Sequence, residues 1–203
     1  NNTLEEVLII RDCVTKPGSR AELAKELYML SFYLCGINAV DLYQLTEREI
    51  RNGRVDYNRS KTEDKRKDNA FISIKIVDEA KPLLEKYLGQ LSIRYSSSDC
   101  LNWALCKGME QLRKLTGIPE LTLYWARHTF ANTARNDCRM SKDDVALALN
   151  HVDEGNRTTD IYIAKDWKIV DDVQRKVIAQ LRKIEIKVMK KVQKENETEK
   201  IAA

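Results

Sequence analysis

The dipeptide Asn52-Gly53 interrupts a chain that otherwise reads as helix. Asn and Gly accept positive φ at low cost, which a tight two-residue hairpin requires. Around them the apolar period drops to two. Val55-Asp56-Tyr57-Asn58 alternates, and Phe71-Ile72-Ser73-Ile74 reads as the returning strand. From Ile50 onward the segment is therefore expected to form an antiparallel sheet of two or three strands. Its Ser60–Asp68 connection is a charged loop.

Helix signals lie on both sides. Thr3-Leu4-Glu5-Glu6 and Ser19-Arg20-Ala21-Glu22 are capping boxes, in which a hydroxyl and a glutamate satisfy each other's backbone donors. The first predicts a helix to about Cys13, which Lys16-Pro17-Gly18 separates from the second. The second carries Leu23, Leu27, Leu30, Tyr33 and Leu34 on a buried face and ends at Gly36. A short helix is expected from Asn38 to about Leu45. Further helices are expected over 78–88, with Pro82 in the first turn, and over 99–115. Thr122 is expected to cap a helix through Asn136, and Ser141 one ending near Asn150. A short helix around 159–164 would carry Tyr162. The last helix starts near Lys168 with Val170, Val173, Val177, Leu181, Ile184 and Val188 in one stripe, and frays beyond Lys190. The expected class is mainly α with a small antiparallel β-sheet (α+β).

With 203 residues, 43% of them hydrophobic, the chain can bury one core with a tail. We divide it at residue 180, leaving 181–203 as a C-terminal helix or tail. No apolar run reaches membrane-spanning length, and no signal peptide opens the chain. The start at Asn1-Asn2-Thr3 suggests a fragment of a longer protein. The net charge of +4 is compatible with nucleic acid without arguing for it. Five scattered cysteines without a Cys-x-x-Cys point to reduced thiols in a cytoplasmic protein rather than a zinc site or a disulfide framework.

The stretch from Leu121 to Tyr162 holds Arg127, both histidines (His128 and His151) and a tyrosine after a polar turn. Arg127 sits in the apolar setting of Trp125, Ala126 and Phe130, where a guanidinium needs an anionic partner. A phosphate at that helix end or an internal carboxylate would serve. His151 can be a mere helix cap, and most tyrosines pack. The nucleotide-binding, serine-hydrolase and zinc-protease motifs are absent. In the loop, Arg59, Lys65, Arg66 and Lys67 are offset by Glu63, Asp64 and Asp68, and such a run is most often a solvated turn.

Five elements occur in a telling order. They are Gly36-Ile37-Asn38-Ala39-Val40-Asp41, then Lys61-Thr62, then Arg127-His128-Thr129-Phe130-Ala131, then Leu149-Asn150-His151, then Thr158-Thr159-Asp160-Ile161-Tyr162. Over nearly its whole length the chain resembles the catalytic domain of the tyrosine recombinase (phage integrase) family. It resembles integrases of mobile elements and conjugative transposons that lack the first catalytic arginine.

The resemblance implies that family's fold and a DNA strand-exchange activity needing neither metal nor cofactor. Tyr162 would attack a DNA phosphodiester. Arg127 would bond the non-bridging oxygens of the transition state, Lys61 would protonate the leaving 5′-oxygen, and His151 would pack against the scissile phosphate. Asp41 would brace the site, and Arg59, Lys65, Arg66 and Lys67 would contact DNA. Two positions depart from the pattern. Asn38 stands where the first arginine belongs, and Tyr124 where the histidine of His-x-x-Arg belongs. Losing one such donor pair costs about 2–4 kcal/mol of transition-state stabilisation. Another cation (Arg20, Lys25, Arg48, Arg51 or Arg54) is expected to replace it, or Asn38 to donate one neutral hydrogen bond. His128 points about 100° away from Arg127 on a helix and is expected to be buried with an internal partner.

The family further implies double-stranded DNA as partner, a tetrameric synapse on DNA, and an N-terminal DNA-clamp domain lying outside this chain. It also implies a bacterial cytosolic location, with the segment after the nucleophile docking on a neighbour. The alternative is a catalytically silent DNA-binding paralogue of the same fold.

Overall fold

The computed structural model describes residues 1–66, 68–151 and 164–202. Among these it is mainly helical, with one three-stranded antiparallel sheet in the order β1-β2-β3. The strands are β1 (Ile50–Arg51), β2 (Arg54–Asn58) and β3 (Phe71–Lys75). Asn52 and Gly53 take φ of 50° and 71° at the tip of the first hairpin, as the dipeptide requires. Pairing of Val55 with Ile74 and of Tyr57 with Ile72 puts all four side chains on the buried face.

Helix α2 (Arg20–Tyr33) is the centre of the molecule. Residues on nearly all its sides are buried, with Leu27, Tyr28 and Phe32 fully so. An all-round apolar helix has to be enclosed. Around it pack α1 (Leu4–Asp12), α6 (Ser98–Thr116) and α7 (Tyr124–Asn132). Gly108 lets α6 come close, since a Cβ there would lie 2.1 Å from the Arg20 carbonyl oxygen. Both expected N-caps form. The Thr3 box is reciprocal, whereas Glu22 accepts from Gly18 N instead of Ser19 N.

Short helices α3 (Ala39–Gln44), α4 (Lys81–Tyr87), α5 (Leu91–Arg94) and α8 (Lys142–Ala148) fill the remaining connections. α4 starts later than residue 78, because Ala80 N and Lys81 N both turn back onto the Val77 carbonyl. α5 is an unexpected single turn that buries Leu91. Thr122 does not cap α7. Leu123 occupies the cap position without a side-chain bond, and the helix ends at Asn132 in a π turn over Thr133–Asp137.

α9 (Trp167–Ala202) buries Val170, Val173, Val177 and Leu181. Gln174, also buried, donates its amide to Tyr33 O at 2.7 Å and Lys75 O at 2.9 Å, so α9 is fastened to both α2 and β3. Beyond Leu181 the stripe emerges, and Val188 is 39% exposed. The helix nevertheless continues to Ala202 rather than fraying at Lys190. Residues 190–202 contain no Gly or Pro, and Lys191 and Glu195 pair at i,i+4. Among the described residues no helix is long and apolar enough to cross a membrane.

Candidate functional site

Gly36 follows α2 with φ of +75°, a conformation that glycine adopts without strain. The missing Cβ matters for a second reason. A Cβ there would lie 2.7 Å from Arg127 Cγ and 2.9 Å from its Cα. α7 therefore lies directly on the Gly36 backbone. That contact seats Arg127, which is 7% exposed.

Arg127 donates Nη1 to Gly36 O at 3.0 Å and Nη2 to Leu149 O at 2.6 Å. Both partners are neutral carbonyls. An internal carboxylate, one of the two partners that would serve it, is not bonded to it among the described residues. Burial, and after it the positive charge of Arg59, hold the Arg127 pKa below its ordinary value.

Arg59 is the neighbour that sequence reasoning placed elsewhere. It follows β2, in the loop assigned to DNA contact, yet it is only 7% exposed. Its Nη1 donates to Asn150 O at 3.4 Å, the carbonyl next to Leu149 O. Its Nε is buried and has no hydrogen-bond partner among the described residues. The two guanidiniums thus converge on the C-terminal end of α8. The signal in the sequence was slight: Arg59 directly follows a strand whose alternate residues Val55 and Tyr57 face inward, and it continues that alternation.

Asp41 braces this arrangement from α3. Its Oδ1 accepts from Ser60 N at 2.9 Å and Ser60 Oγ at 2.8 Å, fixing the residue between Arg59 and Lys61. Burial raises the Asp41 carboxyl pKa, opposed by the Ser60 bonds and the Arg59 charge. Asn38 caps α3 without a side-chain hydrogen bond, and the second Asp41 oxygen, Oδ2, is buried with no partner among the described residues. Tyr57, buried nearby, has its phenol pushed well above the ordinary range, first by burial and then by the Asp41 charge.

The five cations expected to replace the first arginine lie otherwise. Arg20 stacks over the Trp103 ring at 4.6 Å, and Lys25 donates to Cys13 O. Arg54 forms a two-pronged pair with Asp171 at 2.8 and 2.9 Å and also bonds Ser73. Arg48 and Arg51 are exposed near the first hairpin. Arg59 is the cation beside Arg127.

Lys61 is exposed on the turn after β2 and makes no hydrogen bond or ion pair among the described residues. His151 is exposed too, and its N–H donates to Ala146 O at the end of α8. Tyr124 opens α7 one turn before Arg127 and is 55% exposed. His128 is not the buried histidine expected. It is exposed and meets the Tyr124 ring edge-to-face at 4.7 Å, because the buried side of α7 is taken by Ala126, Arg127, Thr129 and Phe130. Arg66 is half-buried and held by Asp68 and Asn150. Tyr162, Lys67 and the Lys65 side chain lie outside the described residues.

The arrangement presents two buried guanidiniums, one buried carboxylate and an exposed lysine on the adjoining turn. Such a set can hold a phosphate and stabilise charge growing on it. Among the described residues no cluster of three His, Cys, Asp or Glu side chains forms a metal site. No family model, curated protein or solved structure matches the chain.

Proposed function

We propose that the chain is the catalytic domain of a tyrosine-type site-specific DNA recombinase. The observation that carries this reading is the pairing of Arg127 with Arg59. Both are buried, and among the described residues both are bonded to neutral carbonyls rather than to a carboxylate. A buried cation without its counter-charge is costly. Asp41 offsets only one of the two, and burial disfavours its charged form. The site is therefore left with a positive excess that a phosphodiester satisfies.

In this reading Arg59 takes the role of the first arginine, reaching the phosphate from the end of β2 instead of from α3. Arg127 and Arg59 stabilise the equatorial oxygens of the transition state. The Tyr162 phenol oxygen attacks phosphorus as its proton passes to water, the bond from phosphorus to the 5′-oxygen breaks, and Lys61 passes a proton to that oxygen. The resulting 3′-phosphotyrosine keeps the bond energy, so rejoining runs without ATP or a bound metal. His151 packs against the phosphate. Tyr124, beside Arg127, takes the position of the family histidine. Double-stranded DNA is the partner, and strand exchange requires a tetramer assembled on it.

The test uses a pool of duplexes of randomised sequence, each with a single nick. The nicked fragment diffuses away after cleavage and traps the covalent intermediate. A protein–DNA adduct that survives denaturation and disappears in Tyr162→Phe is the expected result. Salt-sensitive duplex binding with no adduct assigns the chain instead to the silent DNA-binding class.

A further inference from the structure

Residues 150 and 165 bracket the stretch that carries Tyr162, and both are tied to one short piece of the β2–β3 loop. On one side, Asn150 donates Nδ2 to Ala70 O at 2.6 Å, and its Oδ1 accepts from Arg66 Nη1 at 2.8 Å. On the other side, Lys165 forms an ion pair with Asp68. Trp167 then packs edge-to-face on Phe71 at 5.6 Å, with Lys165 above the Trp167 ring. Arg66 and Asp68 join the two sides through a two-pronged pair at 2.9 and 2.5 Å. Asp68 Oδ1 also accepts from Ala70 N, which holds the loop in shape.

Ion pairs at this exposure contribute little singly, but a connected network resists opening more than its members do alone. The same loop begins with Arg59, Ser60 and Lys61. The β2–β3 connection thus carries the second arginine and the exposed Lys61, and its Arg66, Asp68 and Ala70 bond both flanks of the Tyr162 stretch.

We propose that the Arg66–Asp68–Lys165 triad is a positioning clasp, which registers the chain around Tyr162 against Arg59 and Lys61 and so sets the rate of attack without contributing to DNA affinity. This rests on the reading of Tyr162 as nucleophile. A misplacement of about 1 Å in a reacting group costs on the order of 100-fold in rate, so a clasp distant from the phosphate has a measurable effect.

The decisive variant is Asp68→Asn, which removes the shared anion and bonds none of Arg59, Lys61 and Arg127, with Asp68→Glu as the conservative control. Two measurements are made on the whole chain. Amide hydrogen exchange at 149–151 and 164–167, without DNA, reads the clasp independently of any activity. Single-turnover adduct formation, on nicked duplexes enriched from the randomised pool, reads its consequence. In Asp68→Asn, exchange at both flanks rises by about tenfold or more. The adduct rate falls by about 10- to 100-fold, while the duplex Kd stays within about threefold. Asp68→Glu recovers most of the rate.

Unchanged exchange in Asp68→Asn overturns the clasp. Faster exchange with an unchanged adduct rate overturns its positioning role. A parallel loss of Kd and rate overturns it as well, because the residues would then serve binding. A wild-type chain that forms no adduct refutes the recombinase reading and with it the positioning role, while the exchange result still decides whether the tie exists.

Discussion

Arg127 and Arg59 donate to consecutive carbonyls of one helix end, Leu149 O at 2.6 Å and Asn150 O at 3.4 Å. Ninety-one residues separate Asn150 from Arg59, so no local signal could place these guanidiniums together. If they form a single clamp, Arg59→Ala lowers adduct formation by about 100- to 1000-fold, as removal of one transition-state donor does. Arg59→Lys recovers little, because an ammonium lacks the planar fork. Arg54→Ala serves as contrast. Its partners are Asp171 and Ser73, so it lowers stability by about 1–3 kcal/mol while the rate per folded molecule is unchanged. Single-turnover assays alongside urea melts separate the two.

Gly36→Ala is expected to act on the clamp from beneath. The added methyl meets Arg127 Cγ at 2.7 Å, and the φ of +75° disfavours any Cβ. Overpacking of about 1–3 kcal/mol adds to left-handed strain of about 1–2 kcal/mol. Urea titration checks the stability loss. Duplex binding at low salt is expected to weaken too, since α7 has to move and Arg127 moves with it.

Asn150 sits at φ +51°, which suits asparagine and glycine. Asn150→Gly keeps the backbone and loses the bonds to Ala70 O and from Arg66. Asn150→Ala loses the same bonds and gains strain. The expected order of stability in urea is wild type, then Gly, then Ala, with the last step about 1 kcal/mol.

Asp68 carries an acid-range signature. Partial burial opposes ionisation, but hydrogen bonds from Lys165 and Arg66 outweigh it and hold the carboxyl pKa at about 2, against 3.8 in the unfolded chain. A depressed folded-state pKa adds stability that is fully present above the unfolded value. That stability is lost as pH falls through the folded value. The clasp is thus intact at neutral pH and weakens between about pH 4 and pH 2. Protection from hydrogen exchange at 164–167, taken relative to the intrinsic rate at each pH, is expected to fall in wild type down this range. In Asp68→Asn it is already low at neutral pH and shows no such titration.

Truncation after Lys187 removes the part of α9 that the core does not hold. Val188, Met189 and Val192 are 39%, 56% and 48% exposed, whereas Glu185, which pairs with Arg11, is retained. The stability change is expected to stay within about 0.5 kcal/mol. A thermal melt showing a larger loss would assign the distal helix a structural role at home.

Local chemistry made much of the fold readable. Thr3, Ser19 and Ser141 capped the helices they were expected to cap, because a hydroxyl bonding the N–H groups of its own first turn needs nothing from afar. Asn52-Gly53 formed its hairpin for the same reason. Thr122 failed as a cap because Leu123 took the cap position, with Trp125 N turning back onto the Thr122 carbonyl. His128 was misplaced because its exposure depends on which side of α7 meets Gly36 and α2, a matter of packing rather than of sequence spacing.

The division within the site has the same physical basis. Short-range forces, written in residue order, determined a mainly helical chain with one early antiparallel sheet, an arginine on an apolar helix face and an acid at the start of α3. Only tertiary structure decided that Arg59 leaves the solvated loop and turns inward beside Arg127, with Asp41 pinning Ser60 to hold it there. Burial and charge pairing are properties of the assembled core, where residues 41, 59, 127 and 150 come within reach of one another, and no stretch of sequence contains that proximity.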